Sequence, residues 1–261
     1  MDLQLKGKTA LVTGSTAGIG LAIAERLAAE GVNVTIAGRS KAKLDEAAAQ
    51  VAKLGQVNAV LADPATAEGA ATLIAAVPEV DILVNNLGIY EAKPFTEISD
   101  ADWHRFFEVN VVSGARLSRH YFPKMLAKNW GRVIFISSES SLMIPEEMIH
   151  YGMTKTAQLS IARGLAAQTK GTGVTVNSVL PGPTRSEGIV DFMRSTVSNG
   201  DAPQEEVEKQ FFEELRPLSL IRRLIEAEEI GNMVAFLASP LAAVTNGAAI
   251  RAEGGILPTI A

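Results

Sequence analysis

The sequence predicts a doubly wound α/β domain built on a parallel sheet. Short apolar runs alternate along the chain with amphipathic stretches, and small-residue turns join them. Several runs are apolar at consecutive positions rather than alternating, as strands covered on both faces require. The first run ends in a glycine-rich turn, "TGSTAGIG", that opens a helical pattern.

The apolar runs are Thr9–Thr13, Asn33–Ala37, Val57–Ala62, Asp81–Asn85, Arg132–Ile136, Val174–Leu180 and Ala248–Ala252. In the first helical pattern Ile19, Ile23 and Leu27 recur every four residues, and Gly31 follows as the C-terminal stop. Strand and helix alternating to the end imply right-handed crossovers and one domain over 1–261. One segment departs from the rhythm. Pro183 to Leu224 carries two short polar helical patterns and no strand. It follows the sixth strand, at the end of the sheet where such folds bind ligands, so it reads as a substrate lid, with a surface decoration as the alternative.

The bulk numbers exclude several classes. With 261 residues, 47% hydrophobic and 20% charged, the chain can bury a sizeable core. A net charge of −5 without a basic stripe argues against nucleic acid as partner. No apolar run is long enough to span a bilayer. The start, "MDLQLKGKTALVTG", lacks the pattern of a secretory leader. Zero cysteines exclude disulfides, thiolate metal sites and cysteine nucleophiles, and fit a cytoplasmic protein. His104, His120 and His150 show no ligand spacing, so no protein-held metal is expected.

The glycines of the turn are Gly14, Gly18 and Gly20. A glycine turn between first strand and first helix lets backbone N–H groups approach a pyrophosphate, and the helix N-terminus favours its charge. After the second strand comes "AGRSKAK". Gly38 stands where an acid would bind the ribose hydroxyls of NAD, and Arg39 follows with Ser40, Lys41 and Lys43 nearby. A guanidinium there suits the 2′-phosphate of NADP, so NADP(H) is expected over NAD(H). The plainer reading of Arg39 is an exposed charge at a strand end.

The chain resembles the short-chain dehydrogenase/reductase family over nearly its whole length. The resemblance rests on "TGSTAGIG", "NNLG" (Asn85–Gly88), Asn110 in "EVNVVSG", Ser138 in "VIFISSES", Tyr151 and Lys155 in "YGMTK", "PGPTRSEG" (Pro181–Gly188), and the C-terminal "FLASPLAAVTNGAAIRAEGG". Ser138 lies thirteen residues before Tyr151, the family spacing. The resemblance implies a Rossmann-type, seven-stranded parallel sheet, a nicotinamide cofactor, and hydride transfer between a carbonyl and an alcohol. It implies a catalytic tetrad of Asn110, Ser138, Tyr151 and Lys155. It places the cofactor against Gly14, Ser15, Thr16, Gly18, Ile19 and Gly20, against Arg39 and Asp63, and against Asn86 and Gly88. Tyr151, Lys155, Pro181, Gly182, Thr184 and Ser186 complete that set. It also implies a homodimer or homotetramer packed through the helix of Tyr151 and the helix before it. The sequence departs from the family at four places: Pro64 after Asp63 has no N–H to offer adenine, Ala17 stands where many NADP-dependent relatives are basic, Leu87 replaces an alanine, and Glu253 replaces an aspartate.

Reducing a carbonyl needs a hydride, a proton and hydrogen bonds to the carbonyl oxygen. Tyr151 is the candidate proton donor. A free tyrosine, with a pKa of about 10, is a poor base at neutral pH. Lys155, one helical turn on, falls on the same face, and its charge would favour tyrosinate. Ser138 would hold the substrate oxygen. By resemblance, Lys155 also binds the nicotinamide ribose, and Asn110 holds a water that links Lys155 to solvent. Taken singly, Tyr-x-x-x-Lys is a helix-surface pair, Ser138 in "SSESS" a helix cap, and Asn110 a polar helix residue. Their order, in the right elements, favours catalysis.

By position, Tyr90, Glu139, Ser140, Leu142, Met143, Ile144, His150, Ser186 and Ile189 are the residues expected near the substrate. Leu142, Met143 and Ile144 suggest an apolar wall. Glu139 either reads a polar or cationic group or points to solvent. In the lid, "PQEEVEKQFFEEL" puts Phe211, Phe212 and Leu215 on an inward face and its glutamates outward. No basic cluster there demands an anionic carrier. The leading expectation is an NADPH-dependent reductase of a small-molecule ketone or 3-oxoacyl substrate. The alternatives are an NAD(P)+-dependent secondary-alcohol dehydrogenase and a non-catalytic nucleotide-binding regulator or scaffold.

Overall fold

All seven apolar runs form strands, and all pair in parallel, in the computed structural model, which describes residues 1–260 and, at Glu187, the backbone alone. Ala261, the end of the C-terminal tail, lies outside the described residues. The strands are β1 (Thr9–Val12), β2 (Asn33–Gly38), β3 (Val57–Leu61), β4 (Ile82–Asn85), β5 (Gly131–Ile136), β6 (Val174–Pro181) and β7 (Ala249–Ala252). Their spatial order is β3-β2-β1-β4-β5-β6-β7. The order reverses between β1 and β4, which opens a crevice at the carboxyl ends of these strands.

The helices are α1 (Gly18–Ala29), α2 (Lys41–Val51), α3 (Ala67–Ala76), α4 (Asp100–Phe107), α5 (Ser113–Ala127), α6 (Ile149–Ala166), α7 (Glu187–Thr196), α8 (Gln204–Glu214) and α9 (Ala227–Ala238). They cover both faces of the sheet. On one face Ile23, Leu27, Leu44 and Val234 pack against Val12, Ile36 and Val84. On the other, Leu73, Leu117, Tyr121 and Met125 pack against Leu11, Leu83 and Val133. Neighbouring residues of one strand, Leu11 and Val12, therefore feed opposite cores, which is why the central strands are apolar throughout. At the sheet's edge β3 buries only Val60 among its five residues.

The segment after β6 leaves the sheet at Pro183 and returns at Ile225. Ile225 N–H donates to Pro183 C=O (2.9 Å) and Arg185 N–H to Ile225 C=O (2.8 Å), closing its base. Between them α7 and α8 enclose a small core of their own, with Ile189, Met193, Val207, Phe211, Phe212 and Leu224. Two helices and an inward Phe211–Phe212 pair match the periodicity of the sequence. Between α4 and α5, Glu108–Val112 winds as a π-helical turn rather than the α-helix that its pattern suggests.

Candidate active site

The glycine turn is shaped by close backbone approach. A Cβ at Gly20 would sit 2.2 Å from the Gly14 carbonyl oxygen, so only glycine fits there, and Gly14 itself has φ +60°. Ala17, at the N-cap of α1, makes no side-chain cap, and the first turn holds no acidic residue. The first N–H groups of α1 are thus left for a ligand, and the helix end favours an anion. This cradle fits the pyrophosphate of a dinucleotide. The hydroxyl of Ser15 is buried and spent on the backbone: it donates to Val12 C=O (2.7 Å) and accepts from Ala37 N–H (3.0 Å). Thr16 packs its methyl over Gly38. Ser15 and Thr16 thus tie the turn to β2. Gly20→Ala is expected to weaken dinucleotide affinity at least about tenfold, since overpacking a tight site costs about 1–3 kcal/mol. Unchanged affinity in a cofactor titration would refute the cradle.

At the ends of β2 and β3, Arg39 and Asp63 face each other. The guanidinium is 84% exposed and lies 3.9 Å from the Asp63 carboxylate. Asp63 Oδ1 also accepts from Ala65 N–H (3.0 Å), beyond Pro64. Across the crevice, Asn86 closes the turn from β4: its Nδ2 donates to the carbonyls of Thr13 (3.0 Å) and Gly14 (3.1 Å). Thr13 Oγ1 accepts from the N–H groups of Asn86 (3.0 Å) and Leu87 (3.1 Å).

The turn opens into a cavity of about 380 Å³, lined further on by Ser138, Tyr151, Lys155, Pro181, Gly182, Thr184 and Ser186. Lys155 Nζ donates to Ile136 C=O (2.9 Å) and lies 5.6 Å from the centre of the Tyr151 ring. Burial pulls the lysine down to about 8. Burial, followed by the charge of Glu139, pushes the Tyr151 phenol well above its ordinary value, and a hydrogen bond with Ser138 offsets part of this. The expected lowering of the phenol by Lys155 is not what sets its direction, and the phenol keeps its proton. Ser138 does cap a short turn, accepting from Ser140 N–H (3.1 Å), and it lines the cavity as well.

Asn110 stands behind the cavity wall. Its Nδ2 donates to Ile89 C=O (3.0 Å) and Thr154 Oγ1 (3.0 Å), and its Oδ1 accepts from Ile89 N–H (2.8 Å). Its own carbonyl, in the π-helical turn, accepts from Gln158 Nε2 (2.6 Å). Gln158 Oε1 in turn lies 3.5 Å from Lys155 Nζ. A side chain, Gln158, thus connects Asn110 to Lys155. The sequence held a signal for it, since Gln158 is three residues from Lys155 on the same helical face.

The substrate end differs from expectation. Leu142 and Ile144 are exposed, and with Met143 they lie outside the cavity lining. The apolar wall is built instead by Met148, Ile189, Phe192 and Phe211. His150 is wholly buried against Phe106 (ring centroids 4.1 Å apart), away from the cavity. Tyr90, which lines the cavity, stands edge-on to Tyr151 (6.4 Å) and to Phe192 (5.8 Å), joining α7 to the candidate site. Glu139 and Arg216 are only 5% and 6% exposed and both line the cavity; neither the burial of Glu139 nor the presence of Arg216 was evident from the sequence.

A doubly wound sheet with a glycine cradle at its switch point, opening on a buried Ser and Lys beside a half-buried Tyr, defines a dinucleotide-dependent oxidoreductase. Residues 8–195 match the family model described as short chain dehydrogenase, and the chain belongs to the short-chain dehydrogenase/reductase family. An uncharacterized oxidoreductase of Bacillus subtilis, YvaG, is 50% identical over 264 residues, covering all of both chains. The 3-oxoacyl-[acyl-carrier-protein] reductase FabG of Aquifex aeolicus is 32% identical over 98% of this chain and 100% of its own. The L-sorbose reductase of Gluconobacter frateurii, in complex with NADPH and L-sorbose, superposes with a TM-score of 0.91 at 30% identity over 100% of both chains.

Proposed function

We propose that the protein is an NADPH-dependent reductase of a small-molecule ketone, with Tyr151 as the proton donor. The observation that carries this reading is the convergence of Tyr151, Ser138 and Lys155 on one cavity that continues into the glycine cradle. The nicotinamide, when bound, supplies the hydride. Ser138 holds the carbonyl oxygen, and Tyr151, which burial keeps protonated, delivers a proton to the developing alkoxide. Lys155 lends positive charge beside the phenol. Asn110 acts at a distance, fixing Ile89 by two hydrogen bonds and, through Gln158, the surroundings of Lys155. The segment 183–224 serves as the substrate lid. The test is a titration with NADPH and NADH, then a ketone screen read by loss of nicotinamide absorbance. Binding without turnover across a broad panel would favour a scaffold.

Preference for NADP(H) rests on Arg39, whose exposed guanidinium stands at the end of β2 with no acid at Gly38. Arg39→Ala should weaken NADPH about tenfold or more, because a hydrogen bond to a charged group contributes roughly 1.5–3 kcal/mol. NADH affinity should stay level. Tighter binding of NADH than NADPH by the unaltered protein would overturn the preference. Assembly into a homodimer or homotetramer through α5 and α6 belongs to the same reading, and size-exclusion chromatography with light scattering checks it.

A further inference from the structure

Ser138 has one proton to give. In the structure it gives that proton to Glu139 Oε2, in a short hydrogen bond, while its oxygen accepts from Ser140 N–H. A serine so engaged has no proton left for an incoming carbonyl oxygen. To donate to the substrate it must leave Glu139, and a buried carboxylate oxygen without a partner is costly.

The other oxygen of Glu139 is held differently. Oε1 lies 3.5 Å from Arg216 Nε, and Arg216 Nη1 lies 3.6 Å from Glu147 Oε1. Charged hydrogen bonds close to about 2.7–2.9 Å when nothing intervenes, so this trio is loosely paired although Glu139 and Arg216 are nearly fully buried. Arg216 comes from the segment after α8 and Glu139 from the turn after β5, so the pair joins the lid to the catalytic serine. Glu139 and Arg216 line the cavity with opposite charges, while Glu147 stands outside its lining. An anionic substrate would meet Glu139 there, and a cationic one Arg216. A neutral hydroxyl suits both: it can donate to Glu139 and accept from Arg216.

We infer that Glu139 and Arg216 select a small, uncharged ketone with a hydroxyl next to its carbonyl, which takes Ser138's place on Glu139. The substrate hydroxyl donates to Glu139 Oε2, and the Ser138 hydroxyl turns to the carbonyl oxygen. Glu139 determines specificity, and Arg216 positions it by holding Oε1. A plain ketone or a 3-oxoacyl thioester lacks that hydroxyl and leaves Glu139 competing for Ser138's proton. This inference rests on the reductase reading given above.

The experiment is steady-state kinetics with NADPH on a matched pair, 1-hydroxybutan-2-one and butan-2-one, with acetoacetate as the anionic control. The unaltered protein should favour the hydroxyketone at least about tenfold in kcat/KM, chiefly through kcat, as loss of a hydrogen bond to a charged group predicts. Acetoacetate should be poorer still. In Glu139→Gln the side-chain amide can donate to Ser138, so butan-2-one turnover should rise and the preference should fall to about threefold or less. Arg216→Met should raise KM for the hydroxyketone, and Arg216→Lys should restore part of it. Unchanged NADPH affinity and melting temperature in each variant show that the fold is kept. Equal or better turnover of butan-2-one by the unaltered protein would overturn the inference. So would an unchanged preference in Glu139→Gln. In both cases the reductase reading stands if Tyr151→Phe still abolishes turnover. Absence of NADPH-linked turnover of every ketone overturns both.

Discussion

Tyr151→Phe is expected to lose turnover by roughly 10²–10⁴-fold, the usual contribution of a positioned general acid, while its affinity for NADPH stays nearly unchanged. The hydroxyl removed is hydrogen-bonded to Ser138, and the ring it leaves behind still meets Tyr90 edge-on at 6.4 Å. The fold should therefore survive, with a stability loss of about 1 kcal/mol for the lost hydrogen bond to Ser138. The direction of the phenol's shift gives the prediction a second edge. Burial and the charge of Glu139 hold the proton on Tyr151 well above neutral pH. Reduction should then show no acid-side or neutral-pH limb from Tyr151 itself. The measurement is kcat and KM for a ketone found by screening, beside a cofactor titration and a melting curve. Turnover near the unaltered level would refute Tyr151 as the donor and leave Lys155 or Glu139 as the acid.

What the sequence revealed depended on how local each signal was. Seven apolar runs became seven strands because a central parallel strand needs apolar residues on both faces, as Leu11 and Val12 show by feeding opposite cores. The glycine cradle was legible because a 2.2 Å approach at Gly20 admits no side chain. The inward face of α8 was legible from the spacing of Phe211 and Phe212. Signals that depend on distant partners were hidden. Glu139 looked as ready to face solvent as to face a ligand, because its burial is set by Arg216, far later in the chain. Leu142 and Ile144 looked like a pocket wall, but the loop turns them outward and Met148 takes the place. The link from Asn110 to Gln158 was hidden, because periodicity does not register a single π-helical turn that turns the Asn110 carbonyl to Gln158.

Lys155→Met should be nearly inactive and yet more stable than the unaltered protein at neutral pH. Lys155 is buried, donates to Ile136 C=O, and has no carboxylate within ion-pair reach among the described residues. Burial lowers it from 10.5 to about 8. Below pH 8 the lysine is charged in both folded and unfolded chains, and the folded chain bears the full cost of burying that charge. Between about 8 and 10.5 the unfolded chain holds the proton and the folded chain releases it, so stability rises with pH across that window. Above it the lysine is neutral in both, and the cost is gone. The shift corresponds to about 3 kcal/mol as an upper bound, from which the orphaned Ile136 carbonyl takes back about 1–2 kcal/mol. The variant should therefore melt a few degrees higher at pH 7, and the gap should narrow as pH climbs from 8 to 10.5. Turnover should fall on the order of 10²-fold or more, since the positive charge beside Tyr151 is lost. Melting curves at several pH values, run beside the kinetics, read both halves at once. A gap that does not change with pH would mean that the lysine is not the buried charge, and a variant that melts lower at pH 7 would mean that its hydrogen bond outweighs its desolvation. If both halves hold, the protein keeps a destabilising buried ammonium because the proton donor needs it there.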